Sequence, residues 1–77
     1  MNDRIKLNSG ERLELVGHSS RGTLSEMDVF EYAVVDAGGD KVGSVVHTDH
    51  TAIRGFRRTQ AVEQRDSAGN IVVSETW

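Results

Sequence analysis

The sequence has no cysteine and no proline in 77 residues, and only 5% of it is aromatic. Without cysteine there is neither a disulfide framework nor a thiolate metal site, the usual staples of small secreted domains, so a reducing cytoplasm is the expected setting. Without proline nothing interrupts a run of hydrogen-bonded strands. Nowhere do about 18 apolar residues follow one another, and the opening Met1-Asn2-Asp3-Arg4-Ile5-Lys6 has no apolar stretch of signal-peptide length. The expectation is a chain that neither spans a membrane nor carries a secretory address. Phosphate-loop, dinucleotide and nucleophile-elbow motifs are missing as well, so no cofactor is expected.

With 36% apolar and 27% charged residues, the balance is that of a globular protein rather than a disordered one. The length fits a single domain, residues 1 to 77, and leaves little room for an enclosed catalytic cleft. The net charge is −3, unevenly placed. Residues 1 to 40 hold four basic against eight acidic side chains, whereas residues 41 to 65 hold five basic against two acidic ones. Between Arg21 and Lys41 there is no basic residue at all, while Glu26, Asp28, Glu31, Asp36 and Asp40 are acidic. Such a dipolar field can steer a charged partner but says nothing about fold.

Two stretches share one turn chemistry: Asp36-Ala37-Gly38-Gly39-Asp40 before Lys41-Val42, and Asp66-Ser67-Ala68-Gly69-Asn70 before Ile71-Val72. Asp at the first turn position, with Gly where positive φ is needed, predicts two β-hairpins with three-residue loops. Counting outward from Asp36 opposite Asp40 pairs Val34 with Val42, Tyr32 with Ser44 and Phe30 with Val46 on one face, and leaves Val35 and Val45 on the other. The same count from Asp66 opposite Asn70 pairs Gln64 with Val72 and Val62 with Ser74. Both faces of this second hairpin are then half apolar, and a one-residue slip exchanges them.

Upstream, alternation in Glu11 to Val16 predicts a strand with Leu13 and Leu15 inward. Ile5 and Leu7 are expected in a short preceding strand, with Asn8-Ser9-Gly10 as the turn between. Gly17 to Gly22 is the most loop-like stretch. Thr23-Leu24-Ser25-Glu26 matches a capping box, which predicts at most a short helical turn within residues 23 to 29 before a strand from about Met27. The expected fold is all-β: an antiparallel meander of about five strands, as a curled sheet or a partly open barrel.

His47-Thr48-Asp49-His50 places two imidazoles and a carboxylate within four residues. In spacing it resembles the His-x-Asp-His portion of metallo-β-lactamase-fold hydrolases. Val45 stands where that motif has a preceding ligand, and 77 residues cannot build that fold. On a strand His47 and Asp49 share a face while His50 points away, so no metal site is expected. Arg54-Gly55-Phe56-Arg57-Arg58 interleaves arginines with an aromatic, as nucleic-acid surfaces do, and resembles the basic-Gly-aromatic opening of RNA-recognition strands. Arg54, Phe56 and Arg58 would share a face, with Arg57 on the other. His18, Ser19 and Ser20 are neighbours in sequence, which does not make a catalytic pair.

Trp77 follows Val73 and Glu75 at period two and is expected to anchor the last strand in the core. The sequence as a whole reads as a small, non-enzymatic protein-interaction module that self-associates as a homodimer. Glu26, Asp28, Glu31, Val72 and Trp77 are its candidate contact residues. The alternatives are a nucleic-acid-binding domain using Arg54, Phe56, Arg57 and Arg58, and an acidic inhibitor-like protein docking a basic surface through residues 26 to 40.

Overall fold

The computed structural model describes residues 2–22, 25–52 and 57–77. Five strands lie in one antiparallel sheet in sequence order: β1 (Arg12–Arg21), β2 (Ser25–Val35), β3 (Lys41–Ala52), β4 (Arg58–Asp66) and β5 (Ile71–Thr76). The all-β meander is therefore as expected, and it is an open sheet rather than a barrel. Strand starts at Ser25, so the helical turn considered for residues 23 to 29 is absent from its described part; residues 23 and 24 lie outside the described residues. Among the described residues the one helical element is a 3-10 turn at Asn2–Arg4.

Both hairpin loops have the expected chemistry. Asp36 Oδ1 accepts from the amides of Gly38 and Asp40 at 2.9 and 3.0 Å, and Asp66 Oδ1 accepts from those of Ala68 and Asn70 at 3.0 and 2.9 Å. Gly39 and Gly69 sit at φ 89° and 87°, a region that a Cβ disfavours. Just past each loop, however, an extra residue enters the returning strand. Val35 faces Lys41 but Val34 faces Gly43, leaving Val42 unmatched; Arg65 faces Ile71 but Gln64 faces Val73, leaving Val72 unmatched. These bulges shift every pair beyond them by one residue, which moves side chains to the opposite face. Phe30 therefore faces His47 and not Val46, and Val45 takes the inner position opposite Tyr32. Val45 is fully buried, whereas Val46 is exposed.

A third bulge, at Val16, lies on β1 between Leu15 and Gly17. Beyond it Gly17 to Arg21 continue as strand opposite Met27 to Glu31, where the sequence reads as loop. Pairing supplies the backbone partners that the glycines and serines do not encode themselves. Leu15, expected inward, is 59% exposed on this edge strand; Leu13 packs on the core.

The core is small: Ile5, Val34, Val45 and Val62 are buried together, with Leu13, Tyr32, Val42, Val73 and Trp77 against them. Its lid is the N-terminal segment rather than a sixth strand. The Lys6 amide donates to Gln64 Oε1 and Gln64 Nε2 donates to the Lys6 carbonyl, both at 2.7 Å, so a buried side chain replaces a strand neighbour. Only Ile5 points in, and Leu7 is exposed. The expected turn at Asn8 to Gly10 is present, closed by the Glu11 amide on the Asn8 carbonyl at 3.0 Å.

Candidate functional site

Strand alternation combined with the bulges brings the aromatic and imidazole side chains of the inner face together. His18 on β1 faces Phe30 on β2, and Phe30 faces His47 on β3. The His18 and Phe30 rings stack 4.5 Å apart at 3°, Phe30 and His47 are 5.8 Å apart at 22°, and His47 and Trp77 are 6.0 Å apart at 9°. The Arg4 guanidinium lies 4.1 Å from the Trp77 ring centre, closing the row with a cation over its last face. The N-terminal lid seals one part of the inner face, and this row crosses another.

Polar partners fix the row beyond the rings. His18 Nε2 is 3.2 Å from Asp28 Oδ1, and the Ser20 hydroxyl donates to that same oxygen at 2.7 Å. The Ser20 hydrogen bond, then the one from His18, hold the Asp28 carboxyl below the usual aspartate range. His47 Nε2 is 3.0 Å from Gln60 Oε1, a neutral acceptor that places the proton on Nε2. Arg58 Nε lies 3.0 and 3.2 Å from the two Asp49 oxygens, a forked pair. That pairing lowers the Asp49 carboxyl and raises the Arg58 guanidinium.

What this arrangement can do chemically is limited. In a Ser-His-Asp triad the imidazole stands between hydroxyl and carboxylate; here Asp28 stands between Ser20 and His18, so no base is aimed at the hydroxyl. Among the described residues no three His, Asp or Glu side chains converge on a metal position. His50 faces Met27 and Thr59 on the other side of the sheet from His47 and Asp49, as the alternation predicts. The rings line up across the strands, neighbouring planes lying within 22° of one another.

The expected contact residues do not form one patch. Glu26 and Asp28 lie on the inner face of β2, and Glu31 lies on the outer face opposite Gly17 and Val46. Asp36 is committed to its turn, so residues 26 to 40 present no single acidic surface. Val72 is exposed at its bulge, and Trp77 packs on the core as the period-two reading expects. Of the basic stretch, Arg54 and Phe56 lie outside the described residues. Arg57 is exposed and its carbonyl accepts from the Ala52 amide at 2.9 Å; Arg58 is held by Asp49.

The row itself is missed by the sequence reading, which places His18 in a loop and pairs Phe30 with Val46. The one usable signal is the shared sequence of the two loops, since equal turns followed by equal valines can carry equal bulges. Comparison with protein-family models, curated proteins and solved structures finds no match for this chain.

Proposed function

We propose that the chain is a non-enzymatic protein-interaction module that self-associates at an open edge of its sheet. The observation carrying this is where most of the exposed large apolar side chains fall: among the described residues four of six are on the edge strands, the others being Leu7 in the N-terminal segment and Val46 on β3. Leu15 and Val16 are 59% and 65% exposed on β1, and Ile71 and Val72 are 52% and 37% exposed on β5. These are the two outer strands of an open sheet, where unpaired backbone donors and acceptors add to uncovered hydrocarbon. Two-fold pairing is the commonest closed way to cover such surface.

The alternatives have less support. A nucleic-acid surface is favoured by positive charge, whereas the inner face carries Asp28 and Asp49 beside the rings on a chain of net charge −3. An acidic docking stretch is divided between two faces and a turn. Sedimentation equilibrium from micromolar to millimolar protein tests the proposal. A mass rising from 8.5 kDa to twice that value is expected, and a constant 8.5 kDa would refute it.

A further inference from the structure

The two open edges are built differently. β1 runs for ten residues but is broken by the bulge at Val16 and carries Arg12, Glu14 and Arg21. Arg12 reaches both Glu14, at 3.0 Å, and the Asp36 carbonyl, at 3.3 Å. A bulge together with charges is how natural sheets blunt an edge. β5, Ile-Val-Val-Ser-Glu-Thr, has neither defence past its opening bulge at Val72. Its single charge, Glu75, already has Arg4 at 3.7 Å.

The backbone of β5 specifies how another strand would pair with it. Gln60 and Trp77 exchange both hydrogen bonds at 2.8 Å, making them a closely bonded pair of the β4–β5 ladder. Antiparallel bonding alternates, so Glu75 and Val73 also turn their main-chain groups toward β4, and Ser74 and Thr76 turn theirs outward. Both residues are exposed.

We infer that β5 pairs antiparallel with β5 of a second copy of this chain, about a two-fold axis at Ser74, joining both sheets into one; this rests on the self-association proposed above. That register sets Ser74 opposite Ser74 of the second copy, so the outward groups of the two strands meet in phase. It sets Thr76 opposite Val72, whose exposed side chain gains a neighbour. Glu75 falls opposite Val73, which keeps the two Glu75 carboxylates from standing directly across from each other as a parallel pairing in register would. Pairing β5 with β1 would instead be head-to-tail, would meet the Val16 bulge, and would not close as a two-fold pair.

Sedimentation equilibrium on three proteins tests this. Ser74→Pro removes an outward N–H and leaves the bonds to β4 in place, a substitution that an edge strand accepts. The parent and Val16→Glu, which adds charge to the β1 edge, are expected to reach twice 8.5 kDa, and Ser74→Pro to stay at 8.5 kDa with an unchanged circular dichroism spectrum. A parent that remains at 8.5 kDa overturns the self-association reading itself. A doubled Ser74→Pro, or a Val16→Glu variant held at 8.5 kDa, overturns the β5 assignment and leaves self-association standing. A parent growing beyond twice 8.5 kDa overturns the closed pair. Should Ser74→Pro fail to fold, Ser74→Cys decides, because the parent has no cysteine. Directly opposed bonded residues have Cα atoms about 5.5 Å apart, within disulfide range. Mild oxidation is expected to give a covalent dimer from Ser74→Cys much faster than from Leu15→Cys, and equal rates overturn the register.

Discussion

The inner face of the sheet is closed in two ways. Under the N-terminal lid, Ile5, Val34, Val45 and Val62 form an aliphatic core, dry enough that Val45 is fully buried. Along the ring row His18, Phe30, His47 and Trp77 line up sideways, only Trp77 has the N-terminal segment over it among the described residues, through Arg4, and hydrogen-bonded Asp28 and Asp49 flank the rings. A chain this short cannot supply a second layer over a whole five-stranded sheet. Rings lined up across neighbouring strands remove part of their apolar area from water without such a layer.

Substitutions in the two regions should therefore differ in size. Val45→Ala opens a void that the lid cannot follow and is expected to lower unfolding stability by about 2–3 kcal/mol in urea titrations followed by circular dichroism. Gln64→Leu removes both part-buried bonds to the Lys6 backbone, a loss of about 1–2 kcal/mol. Its distinctive sign is fast hydrogen exchange at the Lys6 amide while the β2 and β3 amides stay protected. Phe30→Ala interrupts the ring row but at a half-buried site, so about 1–2 kcal/mol is expected. A loss as large as that of Val45→Ala would show that the two regions share one core.

The smallest effect is electrostatic and confined to acid. Asp28 and Asp49 have their carboxyls lowered by hydrogen bonds in the ring-row region, as Asp66 has in its turn, first by the Asn70 amide. A carboxyl lowered in the folded state contributes stability that is complete above its unfolded value near 3.8 and is lost as pH falls through the folded one. The thermal midpoint should therefore fall below about pH 4, and Asp49→Asn should flatten that fall by lowering the neutral-pH midpoint by a matching, small amount, since Arg58 is exposed and the pair is screened.

Much of this architecture is local chemistry written in the sequence. Asp36 with Gly39 and Asp66 with Gly69 fix two hairpin loops, because a side-chain cap and a positive φ need only neighbouring residues. The β-branched runs around them fix the strands, and period two places His47 and Asp49 together and His50 apart. The bulges at Val16, Val42 and Val72 were decided by tertiary structure. A bulge is chosen by which alternation buries more hydrocarbon across several strands, and no single segment contains that comparison. From it follow the burial of Val45 instead of Val46, the strand through Gly17 to Arg21, and the meeting of His18, Phe30 and His47. The lid was likewise settled only in three dimensions, since Gln64 binds Lys6 across 58 positions of chain. Short-range turn chemistry is legible because its partners are adjacent; register and cover are not, because each depends on partners that only the folded sheet brings near.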